Sequence, residues 1–232
     1  MPASGPDTLQ ALTSFTVAAG DRADEAGFEV WQPGGQQPVA RLRPAGPPPV
    51  SPDDERSGPD ATQPSFDVLA GTQLNQLAGR VALGGAWAAD GTPVGTVKRR
   101  SGRLEDLVPS TGLPALLYMG DSQWRVRQDG LPVITGQRSG LGARVRFNGL
   151  TNLVSSSDVL ADRGTIAGLP FTFRFKARGT EGFEIARPAG QPRLAVTVHD
   201  PRINRLLVLS CVLSINVIHR SRVRHTPRGR RA

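Results

Sequence analysis

The sequence predicts a mainly β protein whose antiparallel sheet closes on itself and encloses one hydrophobic helix near the C-terminus. Three observations predict it: short segments that alternate apolar and polar residues, repeated hairpin patterns, and an apolar run at 206–218 with basic residues on both sides. The composition agrees, because 27 glycines and 20 prolines in 232 residues favour a turn-rich β protein over a helical bundle.

Three segments alternate with the period of a β-strand: WRVRQ (124–128), ARVRF (143–147) and FTFRFK (171–176). A period of two with one apolar face is typical of strands that cover a core on one side only. The aromatic and aliphatic residues of these segments are therefore predicted to point inward, and their cations outward. The outward cations form a candidate anion- or lipid-binding patch: Arg125, Arg127, Arg144, Arg146, Arg174 and Lys176.

Four segments read as β-hairpins. GFEVWQPGGQQPVARL (27–42) aligns without gaps to GFEIARPAGQPRLAVT (182–197), and both have a Pro/Gly turn between two strand-like halves. WAADGTPVGTV (87–97) and WRVRQDGLPVITG (124–136) repeat the pattern with an Asp-Gly turn. Repeated antiparallel hairpins favour a closed or nearly closed sheet, because closure removes exposed strand edges.

The apolar run is predicted to be a helix over 201–219 that is buried in protein. Asp200 and Pro201 form a helix-start pattern, an N-cap followed by proline at the first helical position. The apolar residues then occupy every face, which is typical of a helix in a protein interior or in lipid. The run 206–218 is thirteen residues long, whereas a membrane span needs about 20. No transmembrane span is therefore predicted, and the candidate core residues are Leu206, Leu209, Val212, Leu213 and Ile215.

The chain is predicted to form one barrel domain over 14–220, between a flexible N-terminus (1–13) and a basic flexible tail (221–232). Residues 44–64 contain seven prolines and almost no large apolar side chain, which predicts a disordered or extended loop. The first residues lack the basic and apolar regions of a secretion signal.

The sequence offers little catalytic chemistry. Cys211 is the single cysteine, so no intrachain disulfide can form, and its apolar neighbours predict a buried side chain in a reducing compartment. His199, His219 and His225 are the only histidines, and His199 and His219 lie at opposite ends of the predicted helix. No nucleophile elbow, zinc-binding motif, phosphate-binding loop or dinucleotide fingerprint occurs. We therefore predict no enzyme activity, no metal site and no cofactor.

The layout resembles the tubby C-terminal-like superfamily, and in particular its LURP-one-related and phospholipid-scramblase-like branch. The resemblance depends on the repeated F-x-[VI]…G-x-P-[VL] hairpins and on VHDPRINRLLVLSCVLSINV (198–217), and it covers roughly residues 27–220. It implies a barrel of about twelve strands around a hydrophobic C-terminal helix. The chain has no aspartate-rich calcium segment and no cysteine cluster for acylation, so calcium-triggered lipid scrambling is not implied and no ligand residue is carried over.

The charge distribution gives the functional prediction. The net charge of +8 divides into −6 over 1–70, +7 over 71–198 and +7 over 199–232. A basic rear half suggests an anionic partner. The sequence thus predicts a cytoplasmic binding module, peripheral at the membrane, that docks on anionic lipid through the outer cations and the tail. Two alternatives stay open: a nucleic-acid-binding protein, and a scaffold that recruits a protein partner through the proline-rich loop 44–64.

Overall fold

The computed structural model describes residues 6–19, 27–46, 64–100, 123–139, 170–188 and 191–224, with the backbone alone at residues 6, 100, 139 and 217–224. A short helix α1 (Pro6–Gln10) precedes twelve strands, and a long helix α2 (Arg205–Arg224) follows them. The strands are β1 (Ser14–Ala19), β2 (Phe28–Trp31), β3 (Pro38–Ala45), β4 (Ser65–Ala70), β5 (Gln76–Ala82), β6 (Gly85–Ala88), β7 (Pro93–Arg100), β8 (Gln123–Gln128), β9 (Ile134–Ser139), β10 (Phe171–Ala177), β11 (Thr180–Arg187) and β12 (Leu194–Val198).

The twelve strands form one closed antiparallel barrel. Each strand pairs with the next along the chain, and β1 pairs with β12 to close the sheet, with Phe15 opposite Val196. The mainly β class, the closed antiparallel sheet and the number of strands are as predicted. The four predicted hairpins are also confirmed, as β2–β3, β11–β12, β6–β7 and β8–β9.

Alternation places the predicted faces as expected in the segments that the structure describes. In β10 the three phenylalanines Phe171, Phe173 and Phe175 are buried, and in β8 Trp124 and Val126 are buried. The segment ARVRF, with Arg144 and Arg146, lies outside the described residues. So do residues 47–63 of the proline-rich loop and residues 225–232 of the tail.

Helix α2 completes the core of the barrel. Every residue from 205 to 215 is at most 3% exposed, so all five predicted core residues are buried. The helix packs most closely on β5, β6 and β7. Two glycines permit this approach: a Cβ at Gly79 would lie 2.6 Å from Leu206 Cδ1, and one at Gly95 would lie 2.9 Å from Leu207 Cδ1. No helix in the described part of the chain is both long and apolar enough to cross a bilayer.

The two serines that interrupt the apolar run form hydrogen bonds between the helix and the sheet. The hydroxyl of Ser210 donates to the carbonyl of Ala82, and that of Ser214 donates to the carbonyl of Leu83, both at 2.6 Å. Residues four apart lie on the same helix face, so both serines meet the turn between β5 and β6. Each hydroxyl thereby satisfies a carbonyl, one at the last residue of β5 and one directly after it, as well as its own need for a partner in a buried position.

The helix begins at Arg205, four residues later than predicted, and it continues to Arg224 instead of ending at 219. Pro201 lies in a turn outside the helix. The carboxylate of Asp200 is not a helix cap, because it accepts hydrogen bonds from the backbone N–H and the guanidinium of Arg202, with the shortest at 2.7 Å.

Three side-chain oxygens cap the true helix start. The Gln128 side-chain oxygen accepts from the backbone N–H of Asn204 at 2.9 Å, and that of Gln10 accepts from Arg205 at 3.1 Å. The Asn204 side-chain oxygen accepts from the backbone N–H of Leu206 at 2.9 Å. The donors of the first turn are thus satisfied by α1, β8 and the cap residue itself.

Arg205 is buried at this helix start, where a cation is unfavourable for the helix dipole. Its guanidinium donates to the carbonyls of Leu12 (2.7 Å), Pro201 (3.3 Å) and Ile203. Burial lowers its pKa, and the charge of Asp200 opposes that shift. Arg205 therefore joins the segment before β1 to the segment before α2, at the barrel end where the helix starts.

Candidate anion-binding surface

Four of the six cations predicted to form a patch are described, and all four lie exposed on the outer wall. Arg125 and Arg127 are on β8, and Arg174 and Lys176 are on β10. Their outward direction follows from the burial of the residues that alternate with them. The structure therefore places these four cations on the face that the sequence predicted for them.

A continuous patch requires the cationic strands to lie close together in the sheet, and β9 lies between β8 and β10. Thr135 of β9 is opposite Arg125 on one side and opposite Lys176 on the other. The three residues thus form one row across three strands. At a strand spacing of about 4.8 Å, the backbones of Arg125 and Lys176 lie roughly 10 Å apart.

Sequence reasoning missed Lys98 on β7. It is exposed and directly opposite Arg125, which extends the row to a fourth strand. The signal was present in GTVKRR (95–100), where the buried Val97 directs Lys98 outward. We call Lys98, Arg125, Arg127 and Lys176 the cation strip.

Elsewhere on the outer wall, opposite charges on neighbouring strands pair with each other. Three such ion pairs join residues that are directly opposite in the sheet: Arg41–Glu29 (3.2 Å), Arg80–Asp67 (2.9 Å) and Arg174–Glu184 (3.0 Å). The predicted patch member Arg174 is thus already neutralised, and it is left out of the strip for that reason.

The cation strip differs from these pairs. No member of it forms an ion pair with a carboxylate in the part of the chain that the structure describes. Directly opposite side chains have Cβ atoms about 5 Å apart, so the charges of Lys98 and Arg125 repel each other. An anion bound over the strip would remove that repulsion. The outer face of a barrel is convex, which suits an extended anionic surface better than a small ligand.

A shallow open cleft of about 510 Å³ lies at the barrel end near the helix start. Its one cation, Arg202, is bound to Asp200 at 2.7 Å. This contact lowers the pKa of Asp200 and raises that of Arg202. The cleft therefore offers a neutralised pair, whereas the cation strip offers free positive charge. The cleft is lined by Gly179, Thr180, Glu181, Asp200, Pro201 and Arg202.

The groups with nucleophilic or metal-binding chemistry lie apart from the strip. Cys211 is wholly buried, and burial raises the pKa of its thiol, which keeps it a neutral core residue as predicted. His199 is exposed, the side chain of His219 is not described, and His225 lies outside the described residues. Among the described residues, no group of three His, Cys, Asp or Glu side chains is placed to hold a metal ion.

Comparison with known proteins gives no relative: no family model, no curated protein and no solved structure matches this chain. The resemblance to the tubby C-terminal-like superfamily therefore stays a prediction.

Proposed function

We propose that this barrel is a non-enzymatic binding module that docks on anionic lipid surfaces through the cation strip. One observation carries the proposal: three arginines elsewhere on the described outer wall, Arg41, Arg80 and Arg174, pair with carboxylates across strands, while the strip presents four clustered cations without such partners. Each basic group near an anionic membrane contributes about 1 kcal/mol, so four of them supply about 4 kcal/mol at low salt.

The surroundings of the strip favour lipid over nucleic acid. Proteins that bind single strands combine cations with exposed aromatic rings on which bases stack. The aromatic residues on the two strands that carry most of the strip are all buried: Trp124 on β8, and Phe171, Phe173 and Phe175 on β10. The strip thus offers charge without a stacking platform. Among the described residues, the long helix α2 cannot read bases, because it is buried over residues 205–215.

Vesicle flotation tests this proposal. At low salt the full chain is expected to float with vesicles that contain phosphatidylserine and to stay behind with pure phosphatidylcholine vesicles. In about 1 M salt, where the screening length falls to about 3 Å, binding to the anionic vesicles should be lost. Equal partitioning to neutral and anionic vesicles would contradict the proposal.

A gel-shift experiment tests the alternative that the protein binds nucleic acid. The same protein at low salt is expected to leave a labelled single-stranded oligonucleotide and a labelled duplex unshifted. A clear shift together with no vesicle binding would replace our proposal with nucleic-acid binding, whose affinity falls steeply with salt.

A further inference from the structure

The turn between β8 and β9 exposes an apolar side chain beside the cation strip. Val133 is 44% exposed, and Leu77 at 40% is the only other exposed large hydrophobic residue in the described part of the chain. Exposed single apolar residues are common on protein surfaces. The position of Val133 relative to the cations is what distinguishes it.

Val133 lies just before the start of β9, whose two neighbouring strands both carry exposed cations near this end. Arg125 pairs with Thr135 and Val126 with Ile134, and Val133 directly precedes β9, so continuing this register by one residue would place Val133 opposite Arg127. On the other side Thr135 pairs with Lys176. Arg178 is exposed in the turn that follows β10, two residues after Lys176.

The β8–β9 turn is fixed by its own backbone geometry and by contacts with the rest of the barrel. Gly130 adopts a φ of +76°, which the tight turn requires, and the backbone N–H of Leu131 donates to the carbonyl of Gln128. The Leu131 side chain packs on the core, and the Gln128 amide donates to the carbonyl of Arg202 at 2.8 Å. Val133 is therefore presented from a fixed backbone at the barrel end where α2 starts.

We propose that the β8–β9 turn is the membrane-insertion point, where Val133 enters the interface of an anionic bilayer. Arg127 at the end of β8, Arg178 in the β10–β11 turn and Lys176 on β10 then bind lipid phosphates. This inference rests on the proposed function and deepens it, because it specifies which end of the strip faces the lipid. The turn contains one carboxylate, Asp129, which is exposed and lies at the opposite end of the turn segment from Val133. Cations with long apolar stems can stay at the phosphate level while a neighbouring apolar side chain goes deeper.

Leu77 provides a matched control. It is about as exposed as Val133, but it lies on β5 opposite Leu69, and its sequence neighbours Gln76 and Ala78 are uncharged. An apolar residue without flanking cations should stay in water when the protein docks through the strip.

The experiment places one environment-sensitive fluorophore at each position, in the variants Val133→Cys and Leu77→Cys of the full chain. Cys211 is wholly buried, so the native protein serves as the unlabelled control. On addition of phosphatidylserine-containing vesicles, we expect a blue shift and quenching by lipid-attached quenchers for the label at 133, and neither for the label at 77.

Vesicles that bind the protein while the label at 133 stays in water would overturn the insertion point and leave the proposed function standing. Absence of any flotation with anionic vesicles would overturn both. As a second measurement, Val133→Ser should weaken vesicle binding roughly threefold or more, because apolar surface no longer leaves water, while Leu77→Ser should leave it unchanged. Equal effects of the two serine variants would also contradict the insertion point.

Discussion

Replacing Leu213 with aspartate is expected to unfold the barrel. The Leu213 side chain is 0% exposed in the middle of α2, with the β-strands around it. A carboxylate there would have neither water nor a cation, at a cost of several kcal/mol. The total stability of a domain is typically about 5–15 kcal/mol, so this single change should remove most or all of it.

Thermal unfolding followed by circular dichroism checks this expectation. The matched control is Leu213→Met, which preserves volume and polarity and should cost less than about 1.5 kcal/mol. If Leu213→Asp melts cooperatively within a few degrees of the native protein, then the helix interior is not the dry core that the structure describes.

Removing the helix should have an effect at least as large. A chain of residues 1–200 would lose every core residue that α2 supplies, and the inward faces of β5, β6 and β7 would be exposed to water. Arg205 would no longer bind the carbonyl of Leu12, and Gln10 would lose the helix start it caps. We expect an insoluble product, or one without a cooperative melt.

The control for this truncation is a chain that ends at residue 224 and retains the whole of α2. It should express and melt like the full chain. A soluble fragment 1–200 with a cooperative melt would show that the barrel folds without its helix, and the helix would then be an accessory instead of the core.

The parts of the fold that were predictable are those that depend on local pattern. The alternation in FTFRFK and WRVRQ follows from the pleat of a strand, and the burial of the helix follows from its apolar residues on every face. The start of the helix was not predictable in this way. Asp200 and Pro201 form a good local start pattern, but Arg202 binds the carboxylate, and the caps come from Gln10 and Gln128, far away in the sequence.

The sequence predicts on which face of its strand each candidate site residue lies, but not which residues lie beside it in the sheet. Alternation alone directs Arg125 and Lys176 outward, but only the strand order shows that β9 separates them and that Lys98 lies opposite Arg125. Likewise, no local pattern pairs Arg174 with Glu184 across the β10–β11 hairpin. A patch predicted from the sequence alone therefore includes a cation that is already paired, Arg174, and omits one that belongs to it, Lys98.

The central claim is that the cation strip, and not the overall charge of +8, binds anionic lipid. Two double variants test it directly, because each removes two outward arginines spaced two apart on one strand. Arg125→Gln with Arg127→Gln alters β8, in the strip, and Arg41→Gln with Arg43→Gln alters β3, on a distant part of the barrel wall where Glu29 and Asp67 lie opposite.

Both double variants have the same net charge, so vesicle flotation at about 0.1 M salt separates the effect of the strip from that of total charge. We expect the β8 variant to lose about 2 kcal/mol of binding, roughly 30-fold in partitioning to phosphatidylserine-containing vesicles. The β3 variant should bind within about twofold of the native protein, since at about 0.1 M salt exposed charges farther than a Debye length of about 10 Å from the membrane are largely screened. Equal losses in the two variants would contradict the claim and assign the binding to net charge.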